Sequence, residues 1–405
     1  MKTSPPPSSR GSGVMPHCET AVEWLQVHCG NLPATAAVAR FQGSSGVTEC
    51  HVAVQLTGNS ADPETTLELA WYHALGSAEI DPFSTVFRRV FCSDVTNQAP
   101  ALAELSRKHP GAFSVIGQPP LPAAKFALWS QHLIDPAGEN EIIRKGPAAS
   151  CRRGALTHHW ITGLTDPSTR DSAKQTRNVL EHHEAWLASH GMTLAANVVR
   201  TWWFVRNIDA DYQGLVDARR DHFSSHGLTK DTHYIASTGI AGAPADPAAS
   251  LSLDSHGIAG LRPDQIDHLH APDHLCPTHD YGVTFERATA ITYADRRHVF
   301  LSGTASIDSS GRIVHEGDVV KQLDRTLDNI DALLARADAN TGDLAILLAY
   351  LRDPADGAVI GEALRERFGA MPFVLLHAPV CRPGWLIELE GLAIVPVRRP
   401  ELPEF

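Results

Sequence analysis

Residues 319–351, VVKQLDRTLDNIDALLARADANTGDLAILLAYL, decide the fold. Val320, Leu323, Leu327, Ile330 and Leu334 recur at spacings of three and four, which gives a helix one apolar stripe to bury. Leu344–Leu351 is a continuous apolar run, as in a strand covered on both faces. Working outward, Arg287–Tyr293 and His298–Ile307 read as a hairpin. Ala358–Phe368 reads as a second helix with Ile360, Leu364 and Phe368 on one face, and Phe373–His377 and Trp385–Val395 as two more strands. The order ββαβαββ gives one mixed sheet with two helices packed on a single face.

Upstream, a helix is expected near Ser172–Ser189, then a strand at Ala196–Arg206. A helix at Tyr212–Ser225 and strands at Tyr234–Ile240 and 249–258 follow. This repeats part of the same order and points to an α+β chain of two related units, an N-terminal one over 20–260 and a C-terminal one over 261–405. Thr66–Tyr72 and Thr85–Phe91 read as strands, 136–171 as a long irregular connection, and the Pro/Ser/Gly-rich residues 1–19 as a disordered leader.

Acidic residues outnumber basic ones 46 to 34 in the 405-residue chain, for a net charge of −12. That disfavours non-specific binding to nucleic acid or an anionic membrane, both polyanions. No apolar run approaches the roughly 20 residues that span a bilayer. Seven cysteines with no CxxC pair fit reduced thiols in a cytosol better than a disulfide scaffold.

Several residues could carry chemistry. Strand alternation puts Glu388 and Glu390 on one face, either a solvated face or a proton donor with a second carboxylate beside it. Cys381 is either a small buried residue or a thiol needing a base such as His377. Gly303 interrupts an apolar strand, as a bulge or a point of ligand approach. Tyr212, Arg219, Tyr281 and Arg287 are either surface residues or an Arg–Tyr set suited to a dicarboxylate. His268, His270, His274, Cys276 and His279 lack zinc-site spacing, and Pro272 and Pro277 prevent a helix from aligning them, so no metal is expected there. His158–His159 and His182–His183 are adjacent pairs that point apart. Neither GxGxxG nor GxxxxGK[ST] occurs.

Phe285-Glu-Arg287-Ala, Phe300-Leu-Ser-Gly303-Thr-Ala-Ser-Ile307, His315-Glu-Gly-Asp318, Leu327-Asp-Asn329 and Cys381-Arg-Pro-Gly-Trp-Leu-Ile-Glu388-Leu-Glu-Gly391 together resemble the YjgF/RidA-like fold. Arg200-Thr-Trp, Tyr212-x6-Arg219, Ala236-Ser-Thr-Gly-Ile240 and Tyr281-Gly282 narrow the resemblance to the chorismatases. The resemblance implies two RidA-like (chorismate-mutase-like) domains in one monomeric chain, with chorismate bound between them, whereas RidA-type proteins are short single domains that work at trimer interfaces. It implies Glu388 as the acid that protonates the enolpyruvyl methylene, Tyr212, Arg219, Tyr281 and Arg287 as substrate contacts, and no metal or organic cofactor. It also implies that Gly303 with Cys381 marks the subtype forming 3-hydroxybenzoate and pyruvate. The stretch from Asp273 to Val283 departs from the family pattern, which leaves 4-hydroxybenzoate or a dihydroxycyclohexadiene carboxylate as alternative products, and an enamine/imine deaminase or ligand-binding homologue as the alternative class.

Overall fold

The computed structural model describes residues 21–58 and 60–405, so the expected leader lies outside the described residues. Three stretches of chain each fold through strand, strand, strand, helix, strand, helix, strand, strand. The first comprises β1 (Val22–His28), β2 (Ala34–Gln42), β3 (Thr48–Leu56), α1 (Pro63–Ser77), β4 (Thr85–Cys92), α2 (Val95–Ser106), β5 (Ala112–Gly117) and β6 (Phe126–Ile134). The second comprises β7 (Glu141–Lys145), β8 (Ala148–Arg153), β9 (Leu156–Leu164), α3 (Ser172–Ser189), a single turn α4 (Leu194–Asn197), β10 (Val198–Val205), α5 (Ile208–Ser225), β11 (Ala236–Ala241) and β12 (Leu251–Ala259). The third comprises β13 (Ile266–Leu269), β14 (Ala288–Thr292), β15 (Arg296–Ala305), α6 (Val319–Leu334), β16 (Leu344–Leu351), α7 (Gly357–Phe368), β17 (Phe373–His377) and β18 (Ile387–Pro396).

The strand orders are β1-β2-β3-β6-β4-β5, β7-β8-β9-β12-β10-β11 and β13-β14-β15-β18-β16-β17, the same topology three times. In each sheet only the last pair is parallel (β4 with β5, β10 with β11, β16 with β17), because a helix crosses over between them. The expected pair of related sheets is therefore corrected to three, and residues 20–260 hold two of them.

The first two copies depart from the expected elements in two places. Residues 136–171 are not an irregular connection but contain β7, β8 and β9. Thr66–Tyr72 is not a strand but lies in α1, whose start is set by Asp62: its carboxylate accepts from Thr65 N at 3.0 Å, with Pro63 in the first turn. The helix buries Thr66, Leu67, Ala70, Trp71, Ala74 and Leu75 at helical spacing. In the third sheet the apolar stripe of α6 is buried as expected, except that Val320 stays exposed.

Where the three sheets meet, aromatic side chains fill the centre. Phe87 and Trp129 meet edge to face at 5.0 Å, Trp202 lies 6.3 Å from Trp129, and His256 bridges Trp160 and Phe300. Each junction between sheets is also tied by a buried arginine and an acid: Arg89 with Asp254 at 2.8 Å, Arg200 with Glu390, and Arg296 with Glu49 at 3.4 Å. The second of these ties stands directly behind the site described next.

Candidate active site between the second and third sheets

A cavity of about 330 Å³ opens where α5 and β11 of the second sheet face β15 and β18 of the third. Tyr212, Arg219, Tyr281, Arg287, Gly303, Cys381 and Glu388 all line it. The structure thus brings these seven candidate residues together from six separate stretches of chain. His377 does not line it.

Alternation along β18 keeps Glu388 and Glu390 on one face, where Glu388 lines the cavity and Glu390, two residues on, lies in the core beside it. Both are buried, so the solvated face considered for this strand is not what the chain builds. Glu390 is fully occupied: its carboxylate accepts from Trp202 Nε1 at 2.9 Å, Tyr350 OH at 2.8 Å, Thr238 Oγ1 and the Arg200 guanidinium. The Glu388 carboxyl makes no hydrogen bond among the described residues. Burial, then the neighbouring Glu390 charge, push its carboxyl up to about 8, against the pull of Arg200 and Arg287. An uncompensated carboxyl in this setting holds its proton at neutral pH.

Facing the acid is a set of cations. Arg219 is 2% exposed and reaches Thr284 Oγ1 at 3.2 Å and Ser237 Oγ at 3.4 Å, but its Nη2 has no partner among the described residues. A buried guanidinium nitrogen left unsatisfied is costly, and an anion entering the cavity would relieve it. Arg287 donates to Cys276 O from Nε and Nη2 and lies over the Tyr281 ring at 5.3 Å. Arg382, which was not singled out, lies over Tyr281 and Trp385 at 4.8 and 5.1 Å and also lines the cavity. Its signal was its place in the Cys381-Arg-Pro-Gly turn. Val216, Phe285, Ile307 and Trp385 supply apolar wall.

The two small residues are explained by close approach. A Cβ on Gly303 would collide with Glu388 Oε1 and stand 3.2 Å from Thr238 Cγ2. Gly303 N donates to Thr238 Oγ1 at 2.9 Å, which aligns β15 with β11. Gly239 plays the matching part on β11, where a Cβ would stand 2.9 Å from Tyr212 Cε2. Burial and the Glu388 charge push the Cys381 thiol up to about 12, with Tyr212 alongside it. A thiol with that pKa carries its proton at neutral pH and presents the cavity with a weakly polar, uncharged wall. Burial likewise pushes Tyr281 up to about 12, leaving a neutral phenol that can donate.

The histidines of 268–279 do not converge on a metal position: His268 stacks on His233 at 4.5 Å, and His270 approaches Glu286 at 3.6 Å. No helix of the described residues is long and apolar enough to cross a membrane.

Residues 288–395 match the family described as endoribonuclease L-PSP. A RutC family protein of Pyrococcus abyssi is 32% identical over 97 residues, which is 24% of this chain and 76% of that one. The 3-hydroxybenzoate synthase of Streptomyces hygroscopicus is 29% identical over 225 residues, covering 49% of this chain and 64% of that protein's length. A crystal structure of a chorismatase superposes with a TM-score of 0.58 at 20% identity, over 76% of this chain and 93% of that one. At that identity the likeness is one of fold. The chain therefore belongs to the L-PSP (RidA-like) family through its third sheet, and over a longer span it is similar in sequence to a 3-hydroxybenzoate synthase and in fold to a chorismatase.

Proposed function

We propose that this cavity converts chorismate to 3-hydroxybenzoate and pyruvate. The observation that carries the proposal is a buried, unpartnered carboxyl raised to about 8, set among Arg219, Arg287 and Arg382. A neutral acid surrounded by cations suits a dianionic substrate that must be protonated on carbon. Chorismate has two carboxylates for the arginines and an enol ether whose methylene takes a proton.

Glu388 donates its proton to the enolpyruvyl methylene, which leaves an oxocarbenium ion beside the new carboxylate. The C4 hydroxyl then attacks C3 within the ring and the C3–O bond breaks, its electron pair forming the ketone of pyruvate. The hydroxyl proton returns to Glu388, so the acid ends as it began. The resulting arene oxide opens by breaking its C4–O bond, and loss of the ring hydrogen restores aromaticity as 3-hydroxybenzoate. Substrate atoms supply every bond, with no water, oxidant or reductant consumed, so the reaction calls for neither metal nor organic cofactor.

In this account Arg219 and Arg287 hold carboxylates, Tyr212 and Tyr281 donate phenol hydrogen bonds, and Gly303 leaves room for the ring beside Glu388. Cys381 steers ring opening through a weak hydrogen bond. The 29% likeness to a 3-hydroxybenzoate synthase supports the product assignment. Glu388→Gln tests the acid: chorismate should still bind by calorimetry while turnover falls to background. A Gln variant that retains turnover would remove Glu388 from this role.

A further inference from the structure

Away from the cavity, α3 and α5 pack side by side, and three side chains converge across their outer groove. Glu184 lies on α3, one residue after the His182–His183 pair, His222 lies in the last turn of α5, and His226 caps that helix one turn further on. Their ligand-type atoms all fall within 4.8 Å of one another. His222 Nε2 is 3.0 Å from Glu184 Oε2, and His226 Nε2 is 3.1 Å from Glu184 Oε1.

Two details separate this group from an ordinary surface ion pair. The His222 side chain is only 10% exposed, yet its Nε2, though close to Glu184, makes no hydrogen bond among the described residues. His226 is oriented from behind, with Nδ1 at 2.8 Å from His222 O and 3.0 Å from Ser225 Oγ, so that Nε2 is the nitrogen presented to Glu184. A backbone carbonyl on the far ring nitrogen is the usual support of a metal-bound histidine.

We propose that Glu184, His222 and His226 form a site for a divalent transition metal of the zinc class. Two imidazoles and a carboxylate are borderline donors of the kind zinc and cobalt take. Zinc sits about 2.0–2.2 Å from such atoms, so tetrahedral ligands stand roughly 3.3–3.5 Å apart. The observed 3.0 and 3.1 Å separations run to the two oxygens of Glu184, and with all three ligand atoms within 4.8 Å of one another a bound metal would draw the two imidazoles together onto one oxygen. His226 is 41% exposed, which leaves the fourth position open to water. Glu181, the next acid on α3, adds negative charge to the site. A metal there would clamp α3 to α5, the helix that carries Tyr212 and Arg219, without touching the cavity.

The test uses untagged full-length protein stripped with a chelator and titrated with zinc against a chromophoric competitor, with cobalt as a visible-absorption probe. One equivalent should bind, and a four-coordinate cobalt spectrum should appear. His226→Ala and Glu184→Gln, both at partly exposed positions, should each weaken binding by more than about tenfold. Absence of a bound equivalent in the parent protein would overturn the proposal. So would an equivalent that both variants retain unchanged, since the metal would then lie elsewhere.

Discussion

Ionising a carboxyl inside a protein strips the charge of water, and Glu388 has no donor to make up that loss. Its pKa rises from 4.5 to about 8 on folding, so the folded chain holds a proton that the unfolded chain releases. The associated stability is fully present below about pH 4.5 and is lost as pH rises through about 8. Glu388→Gln should therefore melt higher than the parent at pH 9, with the two converging near pH 4.5. A difference in melting temperature that does not vary with pH would contradict the raised pKa. Glu390 is the second lever, because its charge holds the proton on Glu388. Glu390→Gln should move the alkaline limb of kcat/KM to lower pH, whereas an unmoved limb would leave burial as the sole cause. The chemistry of these residues was legible in part. Period-two alternation paired Glu388 with Glu390, but only the fold shows that Arg200, Trp202 and Tyr350 occupy one acid and leave the other bare.

Elements place those residues, and the sequence was legible where periodicity was strong. The 3-4-3-4 stripe of α6 and the unbroken apolar run of β16 could hardly be read otherwise. The strands β7 and β8 were not readable because β7 is a polar edge strand, alternating exposed and half-buried residues, that ends in a tight turn at Gly146. In α1 the run Thr66–Tyr72 mixes β-branched and aromatic residues that favour strands, and the better signal was the Asp62-Pro63 start that preceded it. At the site, β11 and α5 depend on one close approach, Gly239 against the Tyr212 ring. Gly239→Ala should push that ring into the cavity, raising KM severalfold with a smaller effect on kcat. Unchanged kinetics would mean that Tyr212 moves freely or does not meet the substrate.

At the scale of the whole molecule, three sheets of one topology close on a shared aromatic centre, and each junction carries a buried arginine–acid tie. Period and element order revealed only two units, since copies that share a fold need not share sequence: Arg200 with Glu390, Arg89 with Asp254 and Arg296 with Glu49 do the same job from different strand positions. Removing one partner strands a buried charge. Asp254→Ala should cost about 3–5 kcal/mol in urea unfolding, while an effect below about 1 kcal/mol would show the tie to be dispensable. Among the described residues, only the junction of the second and third sheets pairs its tie with a free acid and an open cavity, and the proposed chemistry resides there. The most direct test of that claim is to incubate the purified chain with chorismate alone and separate the products by chromatography. Pyruvate and 3-hydroxybenzoate in equal amounts are predicted, and chorismate left unconverted, with no pyruvate, would contradict the account.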